Sequence, residues 1–348
     1  MKIIQTLPQS DLGLVPAAAK QAEEAGFDML MTMENKHDPF LALAVAATAT
    51  TSIELGPGIA IAFARSPMVV ANVSWDLQTA SKGRFVLGLG PQIRPHNEKR
   101  FSVPWSPPVP RLREYVHALR AIWKSWETGE RLRFEGKHYT FTLMTPNFVP
   151  PSSGRPPIPI TIAAVGQHSL RLAGEACDGV RLHPFCTRSY AADVALQLID
   201  EGMTRTGRSR ERFEVTGGGF IATGRSDEDV QEMAEWVRYR VAFYGSTPSY
   251  WPVFEHHDLG DLGRKLNRMT KDGQWDKIAA EINDDVLRLF AAVGRYDEIA
   301  GAVEQRFGGI ADAVYASTSS DKRPMIPKEV IQDIARIPRQ FSAFQNSW

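Results

Sequence analysis

Short apolar runs alternating with helix-periodic stretches give the first reading of this chain. Ile3 to Leu7 reads as a strand stopped by Pro8, and Pro16 to Ala25 as a helix with Gly26 placed to cap its C-terminus. Phe27 to Met33 predicts a second strand. Asp38-Pro39 then reads as an N-cap with proline at the first helical position, opening an Ala-rich helix to Thr50. Ile53 to Phe63 predicts a third strand, interrupted by Gly56-Pro57-Gly58. A helix from Pro67 to about Ala80 and a fourth strand from Arg84 to Leu89 follow. Four strand–helix steps in succession mean a parallel sheet.

Beyond this point the repeat loosens. Gly90 to Pro110 carries six prolines and reads as a long loop rather than a helix. Arg111 to Trp126 is the clearest helix, with Leu112, Tyr115, Val116, Leu119, Ile122, Trp123 and Trp126 on one face. Leu132 to Phe141 predicts an appended hairpin around Glu135-Gly136. Ile158 to Ile162 reads as strand five, a helix begins near Gln167 and stops at Asp178-Gly179, and Val180 to Leu182 reads as strand six. Arg188 to Thr206 is helical, and Phe213 to Thr223 predicts strand seven, with Gly217-Gly218-Gly219 inside it. Ser226 and Asp229 form a capping box for the next helix. Tyr244 to Val293 predicts an aromatic-rich, mostly helical excursion. Tyr296 to Phe307 is a further helix, Asp312 to Thr318 an eighth strand, and Pro327 to Ile337 a last helix.

The sum is an α/β chain with the (β/α)8 TIM-barrel pattern. It reads as one domain, 1–348, with insertions after strands 4 and 7 at about 91–157 and 225–295. A doubly wound sheet is the alternative, weakened because Gly88-x-Gly90 runs into Pro91 without a third glycine.

The stretch from Ile158 to Val180 carries the most chemistry. Its strand ends in Ala163, Ala164, Val165 and Gly166, whose small side chains leave the backbone bare before a helix begins. Free N–H groups and the positive end of the helix dipole converge there, which suits a phosphate. The same residues also fit an ordinary βα loop.

Forty basic residues balance forty acidic ones, so no bulk field points to nucleic acid or a membrane surface. Two cysteines argue against a disulfide scaffold and for a reducing, cytoplasmic setting. The N-terminus lacks the long apolar region of a signal peptide, and no run reaches a membrane span. His256-His257 diverge on either a helix or a strand, and neither H-E-x-x-H nor Cys-His metal spacing occurs, so no metal is expected. No G-x-S-x-G elbow offers a serine nucleophile. Trp236, Tyr239, Tyr244, Tyr250 and Trp251 read either as core or as a pocket lining.

Three stretches carry a resemblance: ENKHDPFLALA from Glu34, RFVLGLGPQIRPHNEKRF from Arg84 and IAAVGQHSLRLAGEACDGV from Ile162. With the closing GRYDEIAGAVEQRFGGIADAV, they resemble the bacterial luciferase-like superfamily. Within it the nearest likeness is to the deazaflavin (coenzyme F420)-dependent oxidoreductase and methylene-tetrahydromethanopterin-reductase-like branch. That resemblance implies a homodimeric oxidoreductase that moves a hydride between F420 and a small organic substrate. An FMN-dependent two-component monooxygenase and a catalytically silent flavin-binding or dimer-forming protein are the alternatives.

The resemblance also implies site residues. Ala164, Val165, Gly166 and Gln167 match the phosphate-side loop. Gly58 and Ile59 match the place where several relatives have a cis non-proline peptide behind the ring; a strand bulge fits Gly58 equally. Leu7, Gly90, Gln92 and His183 complete the cofactor set at the strand ends. His37 matches a rim histidine near the reacting face and is the expected proton donor, with Glu34 orienting it; a polar neighbour of a helix cap is the plainer reading. His96, within a basic loop of Arg94, Lys99 and Arg100, is the third catalytic candidate, and a solvated surface loop fits it too. The acidic residue that sugar-phosphate dehydrogenase relatives carry after the strand-four glycines is absent from Gly90-Pro91-Gln92-Ile93-Arg94.

Overall fold

The computed structural model describes residues 1–316 and 325–348. Eight parallel strands close a barrel in chain order. They are β1 Lys2–Thr6, β2 Met29–Met33, β3 Glu54–Ile61, β4 Leu87–Gly90, β5 Ile160–Ala164, β6 Gly179–Leu182, β7 Glu214–Thr216 and β8 Ala313–Tyr315. Helices alternate with the strands, as the periodicity requires. The first, Val15–Ala25, ends on Gly26 at φ 97°, a left-handed conformation that glycine adopts without penalty. Ser66 Oγ accepts from Met68 N at the start of Pro67–Ala80, and the Ser226–Asp229 capping box opens Asp227–Gly245. Pro108–Thr128 buries all seven apolar residues assigned to its inner face.

Several boundaries depart from the sequence reading. Asp38 does not cap a helix directly: its Oδ1 accepts from Phe40 N at 2.8 Å in a tight turn, and the helix spans Leu41–Ala49. The Gly90–Pro110 stretch holds a helix, Arg94–Lys99. Its start tolerates Pro95 because the first helical N–H groups have no partner to lose. The seventh strand breaks at its triple glycine. β7 stays in the barrel, while Phe220–Gly224 pairs in parallel with Ala291–Arg295, a strand the excursion conceals. The eighth strand is shorter than expected, and the Ser317–Thr318 part of that expectation lies outside the described residues.

The N-terminal ends of the strands are held by acidic side chains that accept backbone N–H bonds. Asp178 takes Ile160 N at 2.9 Å and pairs with Arg120 and Arg208. Asp312 takes Val215 N at 2.8 Å and Gln340 N at 3.0 Å. Glu23 accepts from the N–H groups of Thr51, Ser52 and Ile53. Burial works against its charged form, but these donors hold its carboxyl down at about 2. In a parallel barrel such fastening belongs to stability, leaving the opposite ends for chemistry.

The chain groups into two compact units. One comprises Thr6–Arg181, Ile199–Glu214 and Phe341–Trp348, here the N-terminal unit; the other comprises Met1–Gln5, Leu182–Leu198 and Val215–Gln340, the C-terminal unit. The core of the C-terminal unit packs Phe185, Phe254 and Phe290 with the inner faces of Asp227–Gly245 and Gly260–Lys271. No helix among the described residues is long and apolar enough to cross a membrane.

Candidate active site

In the N-terminal unit the C-terminal strand ends are built from one clamp and several bare backbones. Glu34, the first residue after β2, is nearly enclosed. Its Oε2 accepts from Ile61 N at 2.6 Å, and Arg65 Nη1 reaches both carboxylate oxygens at 2.8 Å. Arg65 also holds Asp38 Oδ2 at 2.9 Å and covers the Phe40 ring. Burial alone would weaken the guanidinium's hold on its proton; Glu34 and Asp38 outweigh it and raise its pKa. The Glu34 carboxylate is therefore committed to β3 and Arg65, and does not orient His37 as expected. His37 itself is exposed and makes no hydrogen bond or ion pair among the described residues.

Glycine lets the rim strands approach. A Cβ on Gly58 would sit 2.6 Å from Met31 Sδ, and one on Gly90 2.6 Å from Ile59 Cγ2. The Gly58–Ile59 peptide is trans, so the cis bond implied by the resemblance is not found. Leu7 is buried, its N–H donating to Met31 O at 2.8 Å. Beyond β4, Gln92 adopts φ 59°, an uncommon conformation for a side-chain-bearing residue and one that gathers at functional sites. Buried Asn97 ties Pro91 O and Ile93 O together, and His96 is exposed on the following turn. The basic loop is partly spent internally: Arg94 pairs with Glu98 at 3.0 Å, and Arg100 donates to Asn35 O.

Ala164, the last residue of β5, is buried; beyond it Val165 is half-buried, and Gly166 and Gln167 are exposed. Gly166 is the N-cap of Gln167–Ala176 with no side-chain cap. The Gln167 and His168 N–H groups find no partner among the described residues, and the first turn carries no acidic residue. That is a positive, open, donor-rich surface. It lies where the strand, bare loop and helix start follow one another in the sequence.

Other residues escaped the sequence reading. Arg111 Nε donates to Tyr139 Oη at 2.9 Å and its guanidinium lies 4.4 Å above the Phe63 ring; Tyr115 Oη donates to Arg65 O at 3.1 Å. The i, i+4 spacing of Arg111 and Tyr115 was the available signal. Arg181 is buried within β6, donating to Thr161 Oγ1 at 3.1 Å.

In the C-terminal unit, His183 follows β6 directly. Phe185 N donates to its Nδ1 at 3.0 Å, so in the neutral ring the proton sits on Nε2, 3.2 Å from Tyr250 Oη. Tyr250 stacks on the imidazole at 4.4 Å and Tyr244 meets its edge at 4.5 Å. Burial pushes His183 down to about 4, so it is neutral at physiological pH. Burial likewise pushes Tyr250 up to about 12. Tyr244 and Tyr250 thus frame a histidine, whereas Trp236 packs against Phe220 as ordinary core. His256 pairs with Asp193 at 3.3 Å and His257 bonds Thr187 Oγ1 at 2.7 Å.

A closed eight-stranded parallel barrel with helices around it defines the TIM-barrel class, whose enzymes carry their sites at the C-terminal strand ends. Residues 5–312 match the luciferase-like monooxygenase family; the chain belongs to it and is an enzyme of the oxidoreductase kind. It is 46% identical over 314 residues to an uncharacterized protein of Mycobacterium tuberculosis, covering 90% of this chain and 92% of that one. A 5,10-methylenetetrahydromethanopterin reductase of Archaeoglobus fulgidus is 29% identical, covering 90% and 93% of the two chains. A putative coenzyme F420-dependent oxidoreductase of M. tuberculosis is 27% identical, covering 84% and 86%. Among solved structures, the F420-dependent tetrahydromethanopterin reductase of Methanopyrus kandleri superposes with a TM-score of 0.76 over 97% of each chain at 21% identity, a likeness of fold.

Proposed function

We propose that the enzyme transfers a hydride between coenzyme F420 and a small organic substrate. The observation that carries this reading is the uncapped start of Gln167–Ala176, where Gln167 and His168 offer N–H groups unpartnered among the described residues, beside exposed Gly166. The phosphate of such a cofactor suits that place, since no side chain obstructs it and no acidic residue of the first turn repels it. The relatedness to a reductase and to an F420-dependent oxidoreductase supports the same choice. When bound, a deazaflavin supplies a hydride-carrying carbon that suppresses oxygen activation, so the chemistry is dehydrogenation or reduction.

The chain's own part is to bind, orient and protonate. Ala164 to Gln167 hold the phosphate side, while Leu7, Gly58, Ile59, Gly90 and Gln92 supply a close backbone surface for the ring. His37, exposed and unpartnered among the described residues, offers its ring nitrogens to a substrate oxygen and is the proton donor in this reading. Glu34 acts through position, holding β3 to the β2 end. His96 is the reserve donor. In its own unit, the neutral His183–Tyr250 pair presents hydrogen-bonding groups suited to an uncharged polar ligand. A homodimer accompanies this reading; Leu12, Leu14, Leu41 and Val69 are exposed apolar residues open to such an interface.

Isothermal titration with F420 and with FMN tests the assignment. Tighter binding of F420 is expected; tighter binding of FMN overturns it. Sedimentation at micromolar concentration tests the dimer, and a monomer there refutes it.

A further inference from the structure

The C-terminal unit contains a cleft of about 830 Å³ that the proposed hydride transfer does not use. Three arginines line it: Arg188, Arg288 and Arg306. Thr187, Ser189 and His257 stand beside them, and Asp193 is the one carboxylate of the lining, already paired with His256. Leu289, Val293 and Ile310 form an apolar wall.

Arg306 is the unusual member. It is 7% exposed, and its Nη2 donates to the carbonyls of Cys186 and Gly218. Its Nε is buried with no acceptor, and no carboxylate pairs with it among the described residues. Burial lowers this guanidinium to about 10, which still leaves it charged at neutral pH. A buried cation satisfied by two carbonyls and the face of the Phe307 ring is costly, because none of them neutralises it. Arg188 Nη1 is spent on Arg306 O and Gly308 O, which fixes its stem and leaves the rest of its fork unassigned. Arg288 is exposed and makes no ion pair among the described residues. Three guanidinium groups against one carboxylate in the lining leave the cleft with an excess of positive charge. An oxyanion entering it would meet forked donors from Arg188 and Arg288 and the Ser189 hydroxyl, with the charge of Arg306 behind them.

We propose that this cleft binds the phosphoryl group of a small organic phosphate, whose carbon skeleton lies on the Leu289, Val293 and Ile310 wall. The site is independent of the hydride-transfer reading, and either stands if the other fails.

The test titrates the purified full-length protein with inorganic phosphate and with phenyl phosphate at constant ionic strength. Wild type is compared with Arg288→Gln and with Arg295→Gln, a surface control outside the cleft. Saturable binding is expected for both probes, with phenyl phosphate about tenfold tighter because its ring buries against the apolar wall. Arg288→Gln should weaken both about tenfold or more, and Arg295→Gln should leave both unchanged. Because Arg288 is exposed, its variant is expected to fold; an unchanged circular-dichroism spectrum checks this. Equal affinities in wild type and Arg288→Gln place the anion elsewhere, for instance at the start of Gln167–Ala176, and overturn the proposal. So does an absence of saturation at tens of millimolar probe. Tighter binding of inorganic phosphate than of phenyl phosphate refutes the organic-phosphate class.

Discussion

His37 and His183 each stand at the C-terminal end of a barrel strand, one in each unit, in opposite surroundings. His37, beyond β2, is exposed and unpartnered among the described residues, on a turn held by the Glu34–Arg65–Asp38 clamp. His183, directly after β6, is framed by Tyr244 and Tyr250, and a backbone N–H fixes its tautomer. The first is a side chain held ready by what surrounds its backbone. The second is held by its own ring. A group that exchanges protons with a substrate needs free nitrogen atoms, whereas a group that recognises a ligand gains from one fixed protonation state. The contrast fits the proton-transfer role proposed for His37 and a recognition role for His183.

The largest expected effect breaks the comparison at His37. His37→Ala should slow single-turnover hydride transfer by roughly 10²–10⁴-fold with little change in cofactor affinity. Unchanged turnover transfers the proton role to His96. Next in size is the clamp. Arg65→Ala leaves the enclosed Glu34 carboxylate without its cation and should cost about 2–4 kcal/mol in urea denaturation. Glu34→Gln should cost less, because an amide oxygen still accepts from Ile61 N. Equal costs for the two variants mean that the buried charge is not what the clamp manages.

The two regions also differ in how much of them the sequence discloses. The barrel was legible because its strands are short apolar runs punctuated by Gly, Pro and capping residues, all local signals. The phosphate-suited loop was legible for the same reason, since Ala163 to Gly166 and the following helix are contiguous. The Glu34–Arg65 clamp was not, because the partners lie far apart in the chain and an acidic residue beside a histidine invites a local pairing that β3 pre-empts. The break after β7 escaped for a similar reason. Phe220–Gly224 has the composition of a barrel strand, and only its distant partner Ala291–Arg295 draws it out of the barrel. His183 and its tyrosines are likewise joined across the excursion, so the aromatic stripe alone leaves core and pocket lining undecided.

The His183 side of the comparison has a pH signature. Its pKa is about 4 in the folded state against an ordinary 6.5, so between these values the unfolded chain binds the extra proton. The resulting stability is fully present above about pH 6.5 and is lost as the pH falls towards 4. At about 1.4 kcal/mol for each pH unit between the two values, the contribution is at most on the order of 3 kcal/mol. Chemical denaturation at pH 7, 5.5 and 4 should show a steeper fall for wild type than for His183→Gln. Parallel curves remove His183 as the source, leaving His257 and His117, both also lowered chiefly by burial.

The smallest expected effect sharpens the comparison on the backbone side. Gly166 is expected to be glycine because a ligand approaches it, and the protein itself makes no such demand. A Cβ there meets nothing within 4 Å, and its φ of −81° is open to any residue. Gly88 is the contrasting case, where a Cβ would lie 2.2 Å from Pro57 O and the fold alone requires glycine. Gly166→Val should therefore change stability by less than about 0.5 kcal/mol. It should nonetheless weaken cofactor binding about ten- to a hundredfold, because the β-branched side chain stands where a phosphate meets the Gln167 and His168 N–H groups. Denaturation and titration on one preparation separate the two readouts. A variant that keeps both its stability and its affinity makes the glycine incidental and the helix start an ordinary βα loop. One that loses stability points instead to a constraint from within the protein.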